Sequence, residues 1–183
     1  NGCVIADHGF EKFPSSYATK KEADELFSRR NNLSDSEKDK MFGYLLVWFA
    51  KQYAKRDMIM QLHFSVIRNN NPQMFIKCGV DSGFDLIGEE QSVKELVKFF
   101  AQISDDERPE TVIYTLNDNN LSAISAVTGA FRKVRMGAAW WFNDTVEGIR
   151  KNLKTVAEYS AIGTSFGMLT DSRSFSSYAR LDR

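Results

Sequence analysis

The sequence predicts an α/β fold, a parallel sheet covered by helices. Short apolar and β-branched runs alternate with amphipathic helical stretches along the whole chain, as βαβ units do. Polar residues able to do chemistry sit at or just after the ends of the apolar runs, where the loops of β/α domains converge. The length, 183 residues, allows one sizeable core but falls short of the roughly 250 of a closed eight-stranded β/α barrel. Five strand units are visible. An open doubly wound sheet could use them whole; a barrel would need further strands.

Residues 3–6 read as the first strand, leading into Asp7-His8. Thr19 and Glu22 have capping-box spacing and open a helix to about residue 30. Ser34 and Glu37 repeat the signal before a longer helix, in which Met41, Leu45, Trp48 and Phe49 form an apolar stripe. Residues 58–62 read as an inner strand reaching His63. Residues 65–92 form a long polar connection on the strand-end side, and connections of such length are often functional. Ser92 and Glu95 cap the next helix, with Leu96, Val97 and Phe100 on its apolar side.

After Pro109, residues 111–116 are a β-branched strand and 121–131 a helix of small and branched residues. Residues 133–136 form a strand that enters a turn at Gly137 carrying Trp140-Trp141-Phe142. Asp144 and Glu147 have capping-box spacing before a helix marked by Val146, Ile149, Leu153 and Val156. Residues 166–169 are the last strand, and 174–180 begin another helix. The pattern predicts a single β/α domain over residues 1–183.

Lys plus Arg equal Asp plus Glu, 24 of each, so nothing suggests the clustered positive charge of a nucleic-acid-binding face. The longest apolar run, residues 44–50, is too short to cross a bilayer, which takes about 20 residues. Cys3 and Cys78 make no disulfide framework, and no signal peptide is visible, so a cytoplasmic setting is expected. The chain opens on Asn1 and almost at once on a strand, which suggests a start inside a larger protein.

His8, His63, Asn117, Asn143, Asp171 and Arg173 fall at or just after predicted strand ends. Imidazole and carboxylate groups there could bind a divalent metal or move protons near neutral pH. Asp171 could accept a proton and Arg173 could hold a carboxylate by a two-pronged contact, although a helix cap with a surface ion pair has the same spacing. Trp140 and Trp141 could line a sugar pocket or divide between pocket and core.

Four stretches in order, Ala6-Asp7-His8-Gly9, Gln61-Leu62-His63-Phe64-Ser65 with Arg68-Asn69-Asn70-Asn71, Trp140-Trp141-Phe142-Asn143-Asp144, and Gly167-Met168-Leu169-Thr170-Asp171-Ser172-Arg173-Ser174-Phe175, resemble the later part of the uronate (glucuronate) isomerase family of the amidohydrolase superfamily. The resemblance covers nearly the whole chain. It implies five β/α units of a partial TIM-like barrel of the metal-dependent-hydrolase type, with residues 65–92 on the active-site side. It also implies interconversion of an aldohexuronate such as D-glucuronate with its ketohexuronate, D-fructuronate, through proton transfer between C2 and C1; D-galacturonate would give D-tagaturonate.

The resemblance makes Asp171 and His63 the catalytic pair and ligands to a divalent metal, zinc by expectation. Arg173 would bind the substrate carboxylate, Trp140, Trp141, Arg68 and Asn117 would line the substrate site, and Asp7 and His8 would support it. The family's His-x-His pair is absent, since His8 and His63 are the only histidines. An upstream barrel segment is therefore an expected partner, and a homo-oligomer is compatible. The alternative reading is a noncatalytic sugar-acid-binding or structural α/β domain.

Overall fold

The computed structural model describes residues 2–165. In chain order its elements are β1 Ile5–Gly9, α1 Lys20–Ser28, α2 Asp35–Ala54, β2 Ile59–Phe64, β3 Val66–Ile67, α3 Pro72–Cys78, β4 Leu86–Ile87, α4 Val93–Ala101, β5 Thr111–Thr115, α5 Leu121–Ala130, β6 Val134–Met136 and α6 Val146–Tyr159. Strands β1, β2, β5 and β6 form one four-stranded sheet in that spatial order, every neighbour parallel. This is an α/β fold of the kind found in part of a β/α barrel. The strand expected at 166–169 and the helix at 174–180 lie outside the described residues.

The sheet separates two environments, because successive side chains of a strand point to opposite faces. Met60, Leu62 and Phe64 of β2, Ile113 of β5, and Val134 and Met136 of β6 enter one core with Leu46 and Ala50 of α2, Leu96, Phe99 and Phe100 of α4, Ile124 of α5 and Val156 of α6. The alternate residues Asp7, Gln61, His63 and Tyr114 stand on the opposite face, in matching register across β1, β2 and β5.

Several details differ from the pattern read in the sequence. Strand β1 extends to Gly9 because each added residue finds a ladder partner: Asp7 opposite Gln61, His8 opposite Leu62, Gly9 opposite His63. His8 is therefore inside the strand and faces the helices, where its Nε2 lies 2.9 Å from the Tyr53 hydroxyl, with the Phe49 and Tyr53 rings alongside.

On α2 the buried residues are Gly43, Leu46 and Ala50, whereas Leu45 and Trp48 of the expected stripe are 36% and 44% exposed. This helix is apolar on most sides, so periodicity cannot select its inner face; close approach does. A Cβ on Gly43 would lie 2.2 Å from the Ser16 carbonyl oxygen. The 65–92 connection is built rather than irregular: β3 and β4 pair antiparallel at Val66–Ile87 and Ile67–Leu86, and Asn71 caps α3. Thr145, not Asp144, caps α6, its hydroxyl accepting from the Gly148 N–H at 3.0 Å.

Both capping boxes at the starts of α1 and α2 are complete. Ser92 caps α4 through the Glu95 N–H, but the Glu95 carboxylate turns to Lys98 instead of closing a box. At the other end of α4, Arg108 is 3% exposed and donates to the carbonyls of Ile103 (2.8 Å), Phe100 (3.4 Å) and Arg132 (3.1 Å) while pairing with Asp105. Its guanidinium also lies over the Phe131 ring at 5.2 Å. One cation thus donates to carbonyls at and just past the end of α4 and ties that helix to the loop entering β6.

Two stability measurements follow from this packing. Arg108→Met should lower the unfolding free energy by about 3 kcal/mol in urea titration, since it strips a charged donor from buried carbonyls. Burial pushes the His8 imidazole below its usual value of 6.5, partly opposed by the Asp7 carboxylate. The folded state thus disfavours protonated His8, and stability contributed above the unfolded-state value is lost as pH falls below it. From about pH 7 to about pH 5 the urea midpoint should fall less steeply in His8→Phe than in the parent chain.

Candidate functional site

A polar row crosses the open face of the sheet near the C-terminal ends of the strands. It comprises Asp7 of β1, Gln61 and His63 of β2, and Tyr114 of β5. The His63 side chain is 12% exposed, and its Nδ1 lies 2.5 Å from Asp7 Oδ1. That oxygen sits off the direction of an aligned ring N–H, so Nδ1 has no hydrogen-bond partner of good geometry among the described residues. The contact is a charge pair when the imidazole carries both protons, and a close polar contact otherwise.

The imidazole lies almost flat on Tyr114, with ring centres 4.3 Å apart and planes 10° apart, and Trp140 closes on it from another side at 4.5 Å and 58°. Gln61 Nε2 donates to the Tyr114 hydroxyl at 3.2 Å. Burial, with the Asp7 charge adding to it, pushes the Tyr114 phenol up to about 12. The hydroxyl therefore stays neutral at physiological pH.

The aromatic turn continues the site outward. Trp140 contacts Trp141 at 5.6 Å, and Trp141 stacks on Phe142 at 5.2 Å. Trp141 has a φ of 52°, a left-handed conformation unusual for a bulky residue. Asn143 holds the turn by donating to the Leu116 carbonyl at 2.9 Å.

Arg68, just after β3, places its guanidinium 5.2 Å from the Trp141 ring centre and reaches Asp85 at 3.3 Å and Asp81 at 3.5 Å. The largely buried Asp85 also accepts from the Asn69 N–H at 2.8 Å, so one carboxylate holds both the backbone just past β3 and the arginine. Through these contacts the 65–92 segment meets the Trp141 turn.

The fold therefore links Asp7, His63, Trp140, Trp141 and Arg68 in one continuous set of contacts. His8 is not among them, since it faces the helices. The Asn117 side chain donates to the Gly88 carbonyl at 2.9 Å and accepts from the Asn119 N–H at 3.1 Å, which ties the 65–92 segment to the end of β5. Asp171 and Arg173 lie outside the described residues.

Gln61 and Tyr114 escaped the reading from sequence. Strand parity was the available signal: Gln61 precedes His63 by two residues, so both share a face once β2 is known to reach Phe64. Nothing local to residues 111–116 shows that Tyr114 lies beside His63.

Among the described residues no group of three or more His, Cys, Asp and Glu side chains could hold a metal. His63 is the one imidazole on the open face, whereas a catalytic zinc takes about three protein ligands. The described residues do not by themselves fit such an ion. None of the helices among them is long and apolar enough to cross a membrane. A cavity of about 890 Å³ near the starts of α2 and α4, lined by Phe10, Glu11, Phe13, Asp39, Phe42 and Glu95 among others, shares no residue with the His63 row.

Comparison with known proteins agrees with this architecture. The glucuronate isomerase family model matches residues 1–183. The uronate isomerase of Oceanobacillus iheyensis is 36% identical over 190 residues, covering 98% of this chain and 40% of that protein. The crystal structure of uronate isomerase from Thermotoga maritima superposes with a TM-score of 0.89 at 30% identity, over 98% of this chain and 40% of that one. Glucuronate isomerase from Caulobacter crescentus gives a TM-score of 0.91 at 25% identity, over 99% of this chain and 39% of that one. The chain spans about 40% of the length of the relatives it matches. On the match along its whole length, the chain belongs to the glucuronate (uronate) isomerase family.

Proposed function

We propose that the complete protein interconverts an aldohexuronate such as D-glucuronate and its ketohexuronate, D-fructuronate, by moving a proton between C2 and C1. The observation that supports this best is His63, a titratable group on the open face near a strand end, set against the Asp7 carboxylate and flanked by Trp140. Aldose–ketose exchange needs a group that takes the proton from one carbon and returns it to the next, with matching proton movement between the oxygens. An imidazole beside a carboxylate is suited to the oxygen protons, and Asp171 is the proposed carbon base.

Arg173 is the proposed partner of the hexuronate carboxylate. Trp140 and Trp141 present flat apolar surface to a sugar face, with Arg68 behind them. Asn117 is proposed to act by holding residue 88 in place. His63 and Asp171 are also the proposed donors to a divalent metal, zinc by preference, with a His-x-His pair from an upstream barrel segment. Residues 1–183 would then be the later part of that barrel, residues 65–92 its active-site-side connection, and the cytoplasm its location.

The test is turnover by the complete protein, supplied with zinc, on D-glucuronate and on D-galacturonate, followed by appearance of the keto acid. Asp171→Asn should lower kcat by about 10³-fold, the scale of losing a positioned acid or base. Arg173→Lys should chiefly raise KM, by about tenfold, as one prong of the carboxylate contact is lost. No keto acid from either epimer, in folded and metal-loaded protein, would sink the proposal.

A further inference from the structure

We propose that Tyr114 is a positioning residue that sets the plane of the His63 imidazole, and that residue 137 is glycine to let it do so. The inference rests on the isomerase reading above and deepens it, since neither residue belongs to the groups expected to touch substrate.

The observation is a lateral row across three adjacent strands. His63 of β2 is opposite Tyr114 of β5, and β6 continues that register past Met136, with the Gly137 N–H donating to the Ile113 carbonyl at 2.8 Å. Side chains on one face of a sheet normally stand nearly upright. Here the Tyr114 ring leans over β6 instead. A Cβ on residue 137 would lie 2.1 Å from Tyr114 Cε1, 2.3 Å from Cδ1 and 2.5 Å from Cζ, inside the space the ring occupies. The glycine is required by this close approach and not by any turn.

The ring is fixed at its far end as well, where Gln61 donates to its hydroxyl. Tyr114 is 1% exposed, so it is a wall and not a group that solvent or a sugar can reach. His63 lies flat on that wall, and Trp140 limits its rotation from another side. Asp7 alone does not fix the ring plane, because its oxygen is off the N–H direction. Stacking on a ring that is itself immobilised supplies the missing restraint, and proton transfer is sensitive to such misplacement.

Three variants of the complete, zinc-supplied protein separate this role from simple packing. Tyr114→Phe keeps the ring and should retain kcat within about threefold, whereas Tyr114→Leu should lose about 10-fold to 100-fold in kcat with KM nearly unchanged. Gly137→Ala keeps Tyr114 but displaces its ring, and should resemble Tyr114→Leu. The pH profile of kcat should shift in those two variants and not in Tyr114→Phe. A role in folding alone would reduce the folded fraction and leave kcat per folded molecule and its pH profile unaltered; that result, in Tyr114→Leu or in Gly137→Ala, overturns the proposal.

Should the parent protein turn over neither hexuronate, the isomerase reading fails separately. The positioning role is then decided by the His63 imidazole resonances in NMR spectra. One narrow set in the parent and Tyr114→Phe, broadened or doubled in the other two, supports it. An unchanged narrow set in all four overturns it.

Discussion

The parallel register of β1, β2 and β5 is the constraint from which the rest of the site follows. Opposing Asp7 to Gln61 and His63 to Tyr114 places carboxylate, amide, imidazole and phenol on one face, while Met60, Leu62 and Phe64 go to the core on the other. A slip of one residue in β2 would exchange the two sets, burying His63 among the helices and exposing Phe64. The hydrophobic core therefore enforces the chemistry: three large apolar side chains on β2 hold the register that aims His63.

The second layer of order comes from side chains that hold loops rather than ligands. Asn117 secures Gly88, Asn143 secures the end of β5, and Asp85 secures both Asn69 and Arg68. Each replaces a backbone–backbone contact that an irregular segment cannot make. Together they bring the 65–92 segment against the Trp141 turn, so that the surroundings of the candidate site come from segments far apart in the chain. Arg108 does comparable work at the opposite end of the sheet, where it closes the carbonyls around the end of α4.

Much of the scaffold is legible in the residues themselves. The capping boxes at Thr19 and Ser34, the β-branched run at 111–116 and the alternation of elements are local signals with local causes, and the helices and strands stand where those signals put them. The inner face of α2 was not legible, because apolar residues surround most of that helix and only the close approach of Ser16 to Gly43 selects a side. Nor was the extent of β1, which depends on the ladder partners offered by a strand more than fifty residues away.

The candidate site divides in the same manner. Sequence by itself determined which side chains are of types able to do chemistry and that His63 and Asn117 lie near strand ends, because residue type and the run of apolar neighbours are properties of short segments. Only the tertiary structure decided that Asp7 and His8, adjacent in the chain, serve opposite faces, that Asn117 holds a loop, and that Tyr114 stands beside His63 with Gly137 beside Tyr114. Those outcomes depend on register between strands and on distances below 5 Å across them, which no single segment encodes.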